Sequence, residues 1–128
     1  MPSTSSSFAR VEFLDARATV ERLRRAAERL AAANPRVRAV LLFGSLATGG
    51  ATPASDADLL VIVDADARRV LDRIPEYARA FEDVGVPTQV LPWTTDELTG
   101  RLGERDPFAA EILRTGVVLA GTLPQNLP

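Results

Sequence analysis

The sequence predicts a small α/β (α+β) domain in which the strands of one sheet alternate with amphipathic helices. Two apolar stretches, residues 37–43 and 58–63, have the length of strands and are apolar on both faces, which is typical of central strands. The segments before and after this pair carry apolar residues at helical spacing. A loop of small residues joins the two strands, and antiparallel pairing would bring its ends together.

The first helix is predicted from an N-cap at Asp15 to about Ala33, where Asn34-Pro35 stops it. Its apolar residues recur on one face: Val20, Leu23, Ala27 and Leu30. Arginine and glutamate share the opposite face, which indicates a solvated surface; an arginine patch for RNA or a polyphosphate tail is the alternative. Residues 11–14 fit either a short strand or the start of this helix.

The second half of the chain predicts shorter elements. In order, they are a helix over 67–83 bent near Pro75, a strand over 88–91 ending at Pro92-Trp93, a helix capped by Thr94 or Thr95 and running to Leu102, a helix over 107–115, and an edge strand over 117–120. The 128 residues are enough for one core. We expect a disordered N-terminal segment at 1–9, one domain over 10–121, and a tail at 122–128.

The loop between the two apolar strands carries the residues that predict chemistry. Gly44 and Ser45 follow the first strand, and after ten intervening residues Asp56 and Asp58 open the second. Side chains alternate along a strand, so these two carboxylates lie on one face. At about 4 Å and an effective dielectric near 20 they repel by roughly 4 kcal/mol, and a divalent cation removes that penalty. Mg²⁺ suits one or two carboxylates plus substrate phosphates, and glycine lets backbone N–H groups approach phosphate.

Several classes of active site are excluded by residues that the sequence lacks. It contains no histidine, no cysteine and no lysine, since all 15 basic residues are arginine. Those absences rule out a Ser-His triad, thiol chemistry, a Schiff base, a Walker-type lysine and zinc held by histidine or cysteine. The net charge of −2 gives no general affinity for nucleic acid. No apolar run is long enough for a membrane span, and the lack of cysteine is compatible with a cytoplasmic location.

The order of Gly-Ser, ten residues and Asp-x-Asp between two apolar strands resembles the DNA polymerase β-type nucleotidyltransferase superfamily. Its minimal nucleotidyltransferase (MNT) members typically read GSxAxG…SDxDLxV, and this chain reads GSLATGGATPASDADLLV. The resemblance implies a nucleotidyltransferase fold, with helices packed on a small mixed sheet. It also implies that Asp56 and Asp58 ligate Mg²⁺, and that Gly44 and Ser45 hold the terminal phosphates of a nucleoside triphosphate, expected to be ATP. In the family reaction an acceptor hydroxyl attacks the α-phosphorus and pyrophosphate leaves.

One position departs from the pattern of the active family members. They carry a third acidic residue on the next core strand, in contexts that resemble VDVLPYT, whereas this chain has TQVLPWT and therefore Gln89. A glutamine neither neutralises a second Mg²⁺ nor accepts a proton from an attacking hydroxyl. The resemblance thus predicts nucleotide binding with weakened transfer. Asp96 and Glu97 are poor substitutes on a predicted helix, and Leu46 and Thr48 replace the usual loop arginines.

Three functions fit this combination. The first is an Mg²⁺-dependent nucleotidyltransferase that moves NMP, with AMP expected, to a hydroxyl of a protein or a small molecule. The second is a degenerate member that works by binding, because proteins similar to the MNT members are often antitoxins of HEPN-domain ribonuclease toxins. The third is a nucleotide-sensing subunit. A chain of this size also suits a homo-oligomer or a second subunit that supplies the acceptor site.

Structural roles are the alternative for each candidate residue. Asp56 and Asp58 could cap a turn before the strand, and Ser45 could cap a turn or a helix. Asp64 and Asp66 are expected in a solvated loop after the second strand, away from the metal.

Overall fold

The computed structural model describes residues 4–49 and 56–128, with side chains described from residue 16 onward. In chain order the elements are α1 (Thr4–Ala33), β1 (Val37–Phe43), α2 (Ser45–Thr48), β2 (Ala57–Val63), α3 (Val70–Ala78), β3 (Thr88–Thr94), α4 (Thr95–Gly103), α5 (Pro107–Thr115) and β4 (Val117–Gly121), and a 3₁₀ turn (Arg79–Phe81) continues α3. Strands β1 and β2 and helix α5 have the positions that the sequence predicts.

The strands form one mixed sheet in the order β3-β2-β1-β4. β1 pairs antiparallel with both β2 and β4, while β2 pairs parallel with β3. β1 and β2 occupy the two central positions because they are apolar on both faces. The predicted fold class and the predicted antiparallel central pair are therefore confirmed.

Two apolar clusters cover the two faces of the sheet. On one face α1, α3 and the 3₁₀ turn pack through Leu23, Tyr77 and Phe81. On the other face α4 and α5 pack through Leu98 and Ile112. Because side chains alternate along a strand, successive positions of β2 belong to different clusters. The even-numbered positions of β2 therefore face α4 and α5.

The first helix is longer than the sequence predicts. It begins at Thr4 instead of following an N-cap at Asp15, because the chain from residue 4 to residue 15 contains no glycine or proline to stop a helix. It overlaps most of the 1–9 segment predicted to be disordered, and residues 1–3 lie outside the described residues. In the described part of the chain no helix, α1 included, has both the length and the apolar character needed to cross a membrane.

Strand β3 also runs further than predicted. It continues through Pro92 to Thr94, because an edge strand can include a proline on its unpaired side. The helix that follows begins at a capping box formed by Thr94 and Glu97. Of the two predicted caps, Thr94 and Thr95, Thr94 is the one observed. In the tail predicted at 122–128, Leu123 and Leu127 pack against the cluster of α4 and α5. The division of the chain into segment, domain and tail stays a prediction.

Arg73 links α3 to α4 and to the backbone near the carboxyl ends of β2 and β3. Its side chain is buried, and its Nη1 donates to Oε1 of Glu97 at 2.6 Å and to the carbonyl oxygen of Pro92 at 3.1 Å. Its Nη2 donates to the carbonyl oxygen of Asp66 at 2.9 Å. Burial acts to raise the pKa of Glu97, but hydrogen bonds from Arg73 and Thr94 outweigh it, so the pKa lies below its ordinary value. A buried cation is thus fully paired here.

Candidate functional site

Gly44 forms the turn that leads from β1 into α2. Its backbone has φ 77° and ψ −156°, a region that only glycine occupies readily. A Cβ on Gly44 would lie 2.4 Å from Oδ2 of Asp58, closer than any side chain could approach. The absence of a side chain therefore lets the backbone of the turn lie directly against the carboxylate of Asp58.

Asp56 and Asp58 lie at the start of β2, on the face that α4 and α5 cover. Asp58 is level with Phe43 of the antiparallel neighbour β1, which brings the end of β1 and the start of β2 together. Ala57 between them is buried on the opposite face, and its N–H donates to the carbonyl oxygen of Pro87 at 2.9 Å. Burial raises the pKa of Asp58, and the charge of Asp56 raises it further. The two carboxylates therefore repel each other at this edge of the sheet.

Gln89 lies beside this pair on β3. Because β2 and β3 are parallel, Gln89 is level with Asp58, and its Nε2 donates to Oδ2 of Asp56 at 3.5 Å. The side chain predicted to stand at the third acidic position thus contacts the first carboxylate. A neutral amide occupies the position where the resemblance leads us to expect a third negative charge.

Helix α2 contains the rest of the predicted loop residues. Gly44, not Ser45, is its N-cap, so the alternative in which Ser45 caps a helix is wrong; Ser45 is the first helical residue. The hydroxyl of Thr48 donates to the carbonyl oxygen of Gly44 at 3.3 Å. Leu46 packs against the cluster formed with α1. From residue 50 to residue 55 the predicted loop lies outside the described residues.

The other acidic candidates lie at the far end of the sheet. Thr94 is five residues beyond Gln89 on β3, a distance of about 17 Å along an extended strand, and Asp96 and Glu97 follow it. Asp64 is exposed and pairs with Arg38, as expected for a solvated loop. Asp66 differs from that expectation: its side chain is buried and its pKa is lowered mainly by the hydrogen bond from Arg68. None of these four acids adjoins Asp58.

A cleft of about 350 Å³ opens beside Asp58, between α2 and α5. Residues from the end of β1, the α2 region, the start of β2 and helix α5 line it: Phe43, Gly44, Thr48, Asp58, Phe108, Glu111, Ile112 and Thr115. Those from α5 were not predicted as site residues. Asp106 and Pro107 mark the start of α5 in the sequence, but no local pattern indicates that this helix packs beside Asp58.

The donor set fits a cation that takes most of its ligands from water and substrate. Within residues 4–49 and 56–128, no group of three or more acidic, histidine or cysteine side chains converges to hold a metal. Two carboxylates with oxygen donors from phosphate and water suit Mg²⁺, which keeps several waters and bridges to substrate phosphates. Burial and, to a smaller extent, the charge of Asp56 raise the pKa of Asp58, and a cation bound by both carboxylates would oppose both effects.

Comparison with known proteins agrees with this architecture. The sequence profile of the nucleotidyltransferase domain matches residues 23–113. The fold is similar to that of a candidate nucleotidyltransferase from Sulfolobus solfataricus, with a TM-score of 0.61 and 19% identity over 84% of each chain. A toxin-antitoxin crystallised with AMP-PNP is similar over 80% of this chain and 73% of its own, with a TM-score of 0.48 and 18% identity. No curated protein matches the sequence.

Proposed function

The chain belongs to the nucleotidyltransferase domain family, and from that premise we propose that it transfers a nucleoside monophosphate to a hydroxyl group. The donor is a nucleoside triphosphate, with ATP as the first candidate, and the acceptor is a protein or a small molecule. The observation that supports this most directly is the contact between Gly44 and Asp58, which brings a bare backbone turn against a carboxylate. A phosphate chain bound there would meet backbone and metal ligands together.

Asp56 and Asp58 are the residues that would hold Mg²⁺. An ion held by these two carboxylates would offset the negative charge of the triphosphate and the charge that develops on the leaving pyrophosphate. Gly44 and Ser45 would offer backbone N–H groups to the terminal phosphates, since Gly44 has no side chain to block their approach. The protein therefore contributes position and charge, which are the main requirements of phosphoryl transfer.

Transfer at this site would be direct, without a covalent intermediate between the nucleotide and the protein. The acceptor oxygen forms a bond to the α-phosphorus, the bond from the α-phosphorus to the bridging oxygen breaks, and pyrophosphate leaves with the electron pair. The hydroxyl proton needs a base, and the amide of Gln89 beside Asp56 does not accept it. The proton then passes to solvent or to a phosphate oxygen, so we expect slow transfer.

Calorimetry with Mg²⁺ and ATP tests the binding part of this proposal. We expect the Asp56→Ala/Asp58→Ala double variant to lose binding, while Asp64→Ala at the opposite end of β2 retains it. Equal affinity of the double variant and the wild type would defeat the proposal. Incubation with labelled nucleotides and cell lysate then tests transfer, since a labelled protein or metabolite identifies the acceptor.

A second candidate function is binding without transfer, as an antitoxin or other partner of a HEPN-domain protein. Gln89 favours it, because a neutral residue at the third acidic position removes the base while leaving Asp56 and Asp58 for the nucleotide. The two candidates differ in one measurement. Binding of a HEPN-domain protein by both the wild type and the double aspartate variant, with no label transferred, would favour the binding function.

A further inference from the structure

Phe43 and Phe108, which line the cleft beside Asp58, belong to a series of four side chains in contact with one another. The ring of Phe108 meets that of Phe43 edge to face, with centroids 5.8 Å apart and planes at 78°. The ring of Phe108 also meets that of Trp93 edge to face, with centroids 6.1 Å apart and planes at 84°. The guanidinium of Arg101 lies 4.3 Å from the ring centroid of Trp93. Edge-to-face and cation–π contacts of this kind hold the rings in fixed orientations.

Phe108 is the exposed aromatic ring among these four side chains. It is 49% exposed, whereas Trp93 is 2% exposed. Its backbone is also held, because Asp106 caps α5 and accepts a hydrogen bond from the N–H of Phe108 at 2.9 Å, after which Pro107 begins the helix. A large apolar ring is thus presented to the cleft in a fixed orientation, although exposure of such a ring to water is unfavourable.

The two ends of the cleft differ in character. Gly44 and Asp58 form the end where the phosphates and Mg²⁺ are proposed to bind, while Phe43, Phe108 and Ile112 form an apolar wall. The charged residue of α5 on that wall is Glu111, and it is paired with Arg114. An acidic side chain on this wall disfavours the binding of phosphate. The apolar wall suits a flat, uncharged ring instead. The volume of about 350 Å³ lies within the range of small-molecule sites.

We propose that the nucleobase of the bound nucleotide stacks on Phe108, so that this residue gives the site its affinity for nucleotide over bare polyphosphate. The inference rests on the proposed function, because the triphosphate must lie at the Gly44 and Asp58 end for the base to reach this wall. Stacking on an aromatic ring is tolerant of base identity, since every base has a π-face. Phe108 therefore contributes affinity more than choice of base.

Calorimetry with two probes separates the base from the phosphates. The probes are the unreactive α,β-methylene analogue of ATP and inorganic tripolyphosphate, each with Mg²⁺. We expect Phe108→Ala to weaken binding of the analogue about tenfold and to leave tripolyphosphate binding unchanged. Phe108→Trp keeps an aromatic ring and should retain the affinity of the wild type. Leu71→Ala is the matched control, because Leu71 is a 74% exposed apolar residue on α3 and does not line the cleft.

The possible failures point to different causes. Unchanged analogue affinity in Phe108→Ala, with loss of binding in Asp56→Ala/Asp58→Ala, would overturn the stacking and leave the proposed function standing. Equal weakening of both probes would assign Phe108 to the support of the site, which also overturns the stacking. If the wild type binds neither probe, both proposals fail. Thermal unfolding of each variant checks that the fold is retained.

Discussion

Nε2 of Gln89 donates a hydrogen bond to Oδ2 of Asp56 at 3.5 Å, across the boundary between two parallel strands. An acidic side chain at this position would bring a third negative charge to a place where burial and the charge of Asp56 already raise the pKa of Asp58. Glutamine avoids that repulsion and supplies a donor instead. The relationship therefore stabilises the two-carboxylate site and removes a proton acceptor from it.

Replacing the amide with an acid should restore the missing group. We expect Gln89→Asp to raise the rate of nucleotide transfer by at least about tenfold at saturating Mg²⁺, because a positioned general base typically contributes more than that. Initial rates with a labelled nucleotide measure the effect, and Gln89→Asn is the neutral control of matched size. Brisk transfer by the wild type, together with a loss in Gln89→Asp, would show that Gln89 does not stand at the third acidic position.

The two glycines that flank α2 should respond differently to alanine. Gly44→Ala combines an unfavourable backbone conformation with a Cβ 2.4 Å from Oδ2 of Asp58, so it should lower the free energy of unfolding by about 2 kcal/mol. It should also displace the Asp58 carboxylate and weaken Mg²⁺–nucleotide binding about tenfold or more. Gly49→Ala is the control, since its φ is 86° but no atom of the described residues lies within 4 Å of its Cβ.

Gly49→Ala should cost about 1 kcal/mol of stability and leave nucleotide binding unchanged. Urea unfolding measures the stability and calorimetry the binding. If both variants bind the nucleotide as the wild type does, the close approach of Gly44 to Asp58 has no functional role.

The raised pKa of Asp58 predicts a dependence of stability on pH. Between the ordinary value of 3.8 and its higher folded value, Asp58 holds a proton that the unfolded chain releases, so its contribution to stability falls as the pH rises through this window. Asparagine does not titrate, so the Asp58→Asn variant does not lose stability in this way as the pH rises. We therefore expect Asp58→Asn to gain stability relative to the wild type between pH 3 and pH 7, measured by urea unfolding.

Mg²⁺ should reverse the order of stability of the wild type and Asp58→Asn. The ion binds the folded wild type and stabilises it at pH 7, whereas Asp58→Asn has lost a ligand and should respond less. Asp66 and Glu97, whose pKa values are lowered, lose stabilising interactions in acid in both proteins, so the comparison cancels their effect. A constant stability difference from pH 3 to pH 7, in the absence of Mg²⁺, would contradict the prediction.

Arg73 should matter for stability and not for nucleotide binding. Arg73→Met removes the ion pair with Glu97. It also leaves three backbone carbonyl groups, those of Asp66, Arg68 and Pro92, without their guanidinium donor, which we expect to cost about 3 kcal/mol or more. Arg69→Met is the control, because Arg69 pairs with Asp72 in solvent and its side chain is 85% exposed. Its loss should change the free energy of unfolding by no more than about 0.5 kcal/mol.

Urea unfolding measures both arginine variants, and calorimetry with Mg²⁺ and ATP compares their sites. Arg73 acts at the carboxyl ends of β2 and β3, whereas Asp58 lies at the other end of β2. A folded Arg73→Met protein should therefore bind the nucleotide as the wild type does. Similar stability of the two variants would show that the buried pairing is not required.

The proximity of the candidate site residues was predictable because they carry their own local signals. Gly44-Ser45 and Asp56-x-Asp58 flank strands whose two apolar faces identify them as central, and antiparallel pairing of consecutive strands then brings the two pairs together. The cap at Thr94, one of the two that the sequence offered, and the start of α5 at Pro107 followed from local rules. The start of α1 did not, because a good cap residue such as Asp15 can also lie inside a longer helix.

The sequence by itself determined the strand and helix pattern, the pair of carboxylates and the neutral residue at Gln89, since each depends on residues near one another in the chain. Only the tertiary structure decided that α5 lies beside Asp58 and presents Phe108 to the same cleft. It also decided that Arg73 pairs with Glu97 across 24 residues. The physical reason is that such contacts depend on how whole elements pack, and an amphipathic pattern states which face of a helix is buried without stating what covers it.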